Sequence, residues 1–194
     1  MMSHSHPPED VELWQRAVAY ACFKHRHQLR KDGRTPYVSH VMRVAMTLRQ
    51  VFGCDDPAAL AAALLHDVIE DTTTDYDDLA ELFGNDVADL VAALTKNAAL
   101  AEPVREPAYD AQLAKADWRA RLIKLADAYD NLCDTKNDPR GLVEIDKTLE
   151  RTRRALALAK PDTAFHPASA TGYQALERLL KAASARSAIR DHLT

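Results

Sequence analysis

The chain has 194 residues, 47% of them hydrophobic and 28% charged, with a net charge of −4. That balance predicts one globular domain with a sizeable core and gives no global attraction to nucleic acid, and its longest uncharged apolar run, Pro57 to Leu65, is too short to span a bilayer. Five scattered glycines exclude a P-loop or a dinucleotide-binding turn, and three distant cysteines (Cys22, Cys54, Cys133) argue for a reducing, cytoplasmic compartment rather than a disulfide framework.

Residues 1–10 carry no apolar leader and read as a disordered tail, and residues 11–194 as one domain. A first amphipathic helix is predicted over about Val11 to Arg30, with Leu13, Ala17, Tyr20 and Ala21 at helical spacing. Asp32-Gly33 ends it, and a loop carries Pro36. Ser39 is the expected N-cap of a second helix that stops before Gly53. Asp56-Pro57 opens a third, nearly all apolar and therefore central, running to about Asp71. Thr74 opens a short helix that stops at Gly84, and another spans Asp86 to Thr95. Pro103 and Pro107 are expected to bracket a polar loop. A long helical stretch covers Tyr109 to Cys133 with a break near Asp117, and two more cover Leu142 to Ala159 and Ala168 to His192. No strand alternation appears, so the predicted fold class is all-α. Trp14 and Trp118 are expected in the core. Arg151, Arg153 and Arg154 are expected on a solvated helix face, and the last helices to furnish at most a pocket wall.

Polar residues inside apolar stretches carry the chemistry. His66, Asp67, Glu70 and Asp71 end the most hydrophobic helix. Burying carboxylates costs several kcal/mol unless each is paired, hydrogen-bonded or on a metal. The bland reading is a helix end fraying into solvent. Asp127 lies in the apolar run Leu122 to Leu132 with Asn131 one turn on, and His40 opens the second helix. Each alone reads as a structural polar residue. Together, His40, His66, Asp67 and Asp127 could form a two-histidine, two-carboxylate site suited to Mn²⁺, Fe²⁺ or Zn²⁺. Glu70 and Asp71 would stand one turn away, placed to orient a water or move protons. Lys24, Arg26, Arg30, Lys31 and Arg34 crowd eleven residues. They are either a solvated face, with Arg26 and Arg30 one turn apart on the helix, or a phosphate clamp beside the metal.

The order His40, His66-Asp67, Asp127 resembles the HD-domain metal-dependent phosphohydrolases. The run Lys24 to Asp32, then Thr35-Pro36-Tyr37-Val38-Ser39-His40, resembles the RelA/SpoT-type alarmone hydrolase domain. So do Leu64 to Thr72 (LLHDVIEDT), Phe83-Gly84 with Leu94-Thr95-Lys96, and Ile123 to Leu132 (IKLADAYDNL). The likeness covers about Ala17 to Asp134, and its small size is most similar to stand-alone alarmone hydrolases such as the metazoan SpoT homologue. It implies an HD-type helical bundle over residues 11–194 that removes the 3′-pyrophosphate from (p)ppGpp, a guanine nucleotide, to give GDP or GTP. It implies one Mn²⁺ on His40, His66, Asp67 and Asp127, with Glu70 and Asp71 assisting the water. Arg30 and Lys31 would contact the nucleotide, and Asn131 would hold its nucleoside part. Neither nucleic acid nor membrane is an expected partner. Another HD phosphohydrolase, acting on NADPH, dNTPs or nucleoside monophosphates, and a non-catalytic nucleotide sensor are the alternatives. Ala128-Tyr129-Asp130 departs from the Arg-Leu-His run of long bacterial forms, and Asp130 is expected to add negative charge near the ligand. Asp134 stands where threonine is frequent, and Val41 where proline is usual.

Overall fold

A computed structural model describes residues 9–135 and 144–191. Its helices are α1 (Glu9–Lys24), α2 (Val38–Met46), α3 (Pro57–Leu65), α4 (Val68–Asp71), α5 (Tyr76–Phe83), α6 (Asn85–Leu94), α7 (Glu102–Lys115), α8 (Trp118–Asp134), α9 (Glu144–Ala159) and α10 (Pro167–Asp191). A π-helical turn (Thr47–Val51) extends α2, and a 3₁₀ turn (Lys160–Ala164) joins α9 to α10. Among the described residues the only β pairing is one antiparallel bridge between Leu29 and Pro36, so the domain is all-α, as predicted. None of these helices is long and apolar enough to cross a membrane.

The third helix is the hub. Asp56 accepts a hydrogen bond from the Ala59 N–H (2.8 Å), Pro57 fills the first turn, and Ala59 through Leu65 are all buried. A helix apolar on every face must be surrounded, and α1, α2, α6 and α8 pack around it. The eighth helix leads from this group to a second layer, where α9 and α10 pack on it and on each other. Arg121 fixes that junction. Its guanidinium meets both Asp162 oxygens (2.6 and 2.8 Å) and donates to the Leu113 and Ala116 carbonyls at the end of α7.

Several boundaries move for identifiable reasons. The first helix stops at Lys24, not Arg30, and the chain from Leu29 to Pro36 folds back as a hairpin. Asp32 holds that hairpin by accepting from the Arg34 and Thr35 N–H groups and the Thr35 hydroxyl, which lowers its carboxyl to about 2. Arg26 and Arg30 therefore do not share a helix face. The α2 N-cap is Tyr37, without a side-chain bond, rather than Ser39. The α5 cap is Asp75, in a capping box with Asp78. Pro103 and Pro107 lie inside α7 rather than around a loop. Pro103 sits in the first turn, where its missing N–H is free of cost, and α7 continues past Pro107 because Tyr109 and Leu113 are buried one turn apart. Trp14 is 44% exposed, not in the core, while Trp118 stacks on His166 (3.9 Å between ring centres). Glu9 and Asp10 begin α1. The remainder of the expected tail, and the start of the helix expected from Leu142, lie outside the described residues.

Gly172 has a packing role. The π turn swings Phe52 inward, 1% exposed and edge-on to Tyr129, and a Cβ on Gly172 would come within 2.8 Å of its ring. Alanine normally stabilises a helix interior by about 1 kcal/mol over glycine, but overpacking costs about 1–3 kcal/mol. Gly172→Ala is therefore expected to lower the thermal midpoint by about 2–4 °C, and thermal denaturation followed by circular dichroism checks the sign.

Candidate active site

Three parts of the chain deliver the polar residues to one place. His40 comes from α2, His66 and Asp67 from the break between α3 and α4, and Asp127 from α8. The helix predicted to run unbroken to Asp71 instead opens at Asp67, whose backbone (φ −102°, ψ −2°) departs from helical values. Consecutive helical residues diverge by about 100°, so this break lets both members of the doublet face one volume.

The imidazole His66 Nε2 lies 3.1 Å from Asp67 Oδ2 and 3.9 Å from Asp127 Oδ1. His40 Nε2 lies 3.7 and 3.3 Å from the same two oxygens. Donors bonded at roughly 2.0–2.2 Å to one ion stand about 3–4 Å apart, so these separations fit a shared cation. Ligand atoms of His40, His66 and Asp67 lie within 4.8 Å of one another. Asp127 stands outside that tight trio but reaches both histidines. His66 Nε2 is buried, makes no hydrogen bond and faces the shared volume. The opposite nitrogens are anchored: His66 Nδ1 donates to the Ala63 carbonyl (2.8 Å) and His40 Nδ1 to Asp130 Oδ2 (2.7 Å). Anchoring one nitrogen fixes the tautomer and presents the other as a ligand.

The electrostatics are those of a compressed charge cluster. Burial alone would raise the Asp67 and Asp127 carboxyls. The neighbouring histidines, and for Asp127 above all the Lys124 ammonium at 2.7 Å, hold both well below the usual range instead. Burial works against a proton on His66, but the Asp67 charge outweighs it and pushes the imidazole from 6.5 up to about 9. Burial, then the charge of Asp67, keeps the Tyr37 phenol protonated, and it donates to Asp67 Oδ2 at 2.6 Å. Burial also raises Glu70 and Asp71, with the Asp67 charge adding to it.

A cavity of about 560 Å³ opens above this cluster, within the range of ligand pockets. Arg30, Lys31, Asn131, Glu70 and all four presumed ligands line it. Of the predicted basic run, only Arg30 and Lys31 do so. Arg26 folds back over Phe23, and Lys24 lies over Tyr20. Asp71 is not among the lining residues, and its backbone carbonyl accepts from Gln28 (2.7 Å). Asn131 bridges the two halves of the site, donating to Asp127 and accepting from Arg30 Nη2 (2.8 Å). Asp130 is corrected: it is 4% exposed and spent on His40 and Arg43, not turned toward a ligand. Sequence reasoning gave no site role to Tyr37, Arg43, Lys96 or Lys124 and expected Arg151 only on a solvated face, yet all five line the cavity. Lys124, three residues before Asp127 on a helix, was the one with a local signal. Arg154 is also not merely solvated, since it bridges Glu106 and Asp110 of α7.

Helices that gather two histidines and two aspartates under a cationic cavity describe a metal-dependent phosphohydrolase architecture. A family model for the HD domain matches residues 17–157, and the chain belongs to that family. Its relatives narrow the group. Over 127 residues it is 47% identical to the Drosophila melanogaster protein named guanosine-3′,5′-bis(diphosphate) 3′-pyrophosphohydrolase MESH1, covering 64% of this chain and 70% of the relative. A Xenopus tropicalis protein of the same name is 38% identical over 137 residues, covering 70% and 76%. A solved structure described as a metazoan ortholog of SpoT that hydrolyzes ppGpp superposes with a TM-score of 0.76 at 32% identity, covering 91% of this chain and 97% of its own.

Linkage sets the pH dependence of stability in chelator-treated protein. The depressed carboxyls of Asp67 and Asp127 stabilise the fold above the ordinary value of 3.8, and that contribution is lost as pH falls through their lower folded values. The raised His66 contributes fully below 6.5 and loses its contribution as pH rises through about 9. The raised Glu70 and Asp71 contribute fully only below 4.5 and 3.8 and lose that contribution as pH rises through their higher folded values. Thermal midpoints of the metal-free chain should therefore be highest near pH 4 and decline toward pH 9, with His66 adding its loss above 6.5. A midpoint climbing steadily from pH 6 to 9 contradicts this charge assignment.

Proposed function

We propose that this chain hydrolyses (p)ppGpp at the 3′ position, releasing pyrophosphate and leaving GDP or GTP, with Mn²⁺ held by His40, His66, Asp67 and Asp127. The observation that carries the reading is the unpartnered, buried His66 Nε2 among three further donors, at the base of a cavity lined by Arg30, Lys31, Arg43, Lys96, Lys124 and Arg151. A metal site beneath converging cations suits a polyphosphate, and relatives covered over 70% and 76% of their length carry this activity in their names.

A divalent cation bound there would supply Lewis acidity and a hydroxide-like water near neutral pH. In the reaction, water adds to the phosphorus on the ribose 3′ oxygen, the 3′ O–P bond breaks, pyrophosphate departs and the 3′ oxygen gains a proton. Glu70 lines the cavity, and burial raises its carboxyl, making it a stronger proton acceptor than an ordinary glutamate. Asp71 supports this region from behind, within reach of the Tyr37 hydroxyl. Arg30 and Lys31 offset the charge of the pyrophosphate. Asn131, already joined to Asp127 and Arg30, links nucleoside placement to both.

With Mn²⁺ added, purified protein should release pyrophosphate from ppGpp and pppGpp over many turnovers, and a chelator should stop it. His66→Ala and Asp67→Ala should each lower kcat/KM on the order of a thousandfold, equivalent to about 4 kcal/mol of charge stabilisation. Arg30→Ala should raise KM about tenfold, the scale of one charged hydrogen bond. A parallel panel of NADPH, dNTPs and nucleoside monophosphates reads specificity. Faster turnover of one of those reassigns the substrate, and binding of ppGpp without turnover makes the chain a sensor.

A further inference from the structure

We propose that Asp130 and Arg43 form a positioning pair for His40, a charged clamp that fixes which imidazole nitrogen faces the cation. The inference rests on the reading that His40 helps hold a metal. Asp130 Oδ2 lies 2.7 Å from His40 Nδ1. Arg43 grips the same carboxylate at both oxygens, Nε to Oδ1 at 2.6 Å and Nη2 to Oδ2 at 2.8 Å. Its remaining donors reach Ser39 Oγ (3.2 Å) and Asp134 Oδ2 (2.9 Å). The Asp130 side chain is 5% exposed and that of His40 is 1% exposed.

The physical consequence follows from donor and acceptor capacity. An ionised carboxylate only accepts, so His40 Nδ1 must carry a proton, and Nε2 is left to face Asp67 and Asp127. A bidentate guanidinium keeps that carboxylate ionised and stops it rotating. Arg43 stands three residues after His40 on α2, and Asp130 three residues after Asp127 on α8. The pair therefore also joins the two helices that each bring one donor to the site. His66 has no such support, because its Nδ1 rests on the neutral carbonyl of Ala63. A carboxylate partner makes an imidazole a stronger donor than a carbonyl does, so His40 is the more tightly prepared of the two histidines.

The test compares wild type with Asp130→Ala, Asp130→Asn, Arg43→Ala and His40→Ala, each full-length, folded and freed of metal. Co²⁺ affinity is measured by competition with a chelator, and the His40 ring nitrogens are read by NMR in Zn²⁺-loaded, ¹⁵N-histidine-labelled protein. Asp130→Ala should weaken Co²⁺ binding about 10–100-fold, the usual cost of removing a partner behind a ligand, and erase the hydrogen-bonded Nδ1–H signal. Asp130→Asn, which keeps the side-chain volume, and Arg43→Ala should fall between this variant and wild type. A merely structural role would lower the melting temperature while leaving Co²⁺ affinity of the folded protein and the ring signals where they are. Co²⁺ affinity within twofold of wild type in both Asp130 variants, or in Asp130→Asn alone should Asp130→Ala not fold, overturns the proposal. Wild-type affinity in His40→Ala instead overturns the underlying metal assignment, so the two failures are distinguishable.

Discussion

Two carboxylates, Asp67 and Asp127, stand within 4 Å of two imidazoles in a region otherwise built of alanine, leucine and valine. Charges desolvated in this way are tolerable only when each has a fixed counterpart. Most of the polar architecture supplies one. Tyr37 and Lys124 each hold an aspartate, Ala63 and Asp130 each hold a histidine, and Arg43 holds Asp130 in turn. The Nε2 atoms of His66, buried without a hydrogen bond, and of His40 are the ring nitrogens that face the two aspartates, placed as the proposed cation would need them.

The helices exist to make this cluster rigid. An α3 apolar on all faces cannot slide or tilt without exposing surface, so the doublet at its end is held from α1, α2, α6 and α8 at once. Arg121 prevents α8 from moving relative to α7 and the 3₁₀ turn. The hairpin from Leu29 to Pro36, tied internally by Asp32, presents Arg30 and Lys31 at the rim without a helix of its own. A side chain presented by a loop is held precisely only when the loop carries its own bonds, and this one does.

The cation site and the basic rim are physically continuous. From His40 the bonds run through Asp130, Arg43 and Asp134 to Arg30, and from Arg30 through Asn131 to Asp127. The proposed metal ligands His40 and Asp127 and the basic rim residue Arg30 are therefore held by one network rather than by two independent patches.

How far the sequence reached can be followed residue by residue. The helical class, the Asp56-Pro57 start, the break at Asp117 and the convergence of His40, His66, Asp67 and Asp127 were legible, the first three from local spacing and caps and the last from acids and histidines set in apolar stretches together with the family's motif order. The ends of α1 and α7 were not. Charge density near Arg30 reads as helix, and Pro107 reads as loop, until packing is known. Asp130 shows the limit most clearly. In the sequence it is one more acid beside a site for anions, whereas the fold spends both its oxygens on His40 and Arg43. Residue type and local period determined which groups had to be reckoned with. Only tertiary structure decided the partners of His40, Arg43, Asp130 and Arg30, because those partners lie 87 to 104 residues apart in the chain and no local pattern encodes a pairing across that distance.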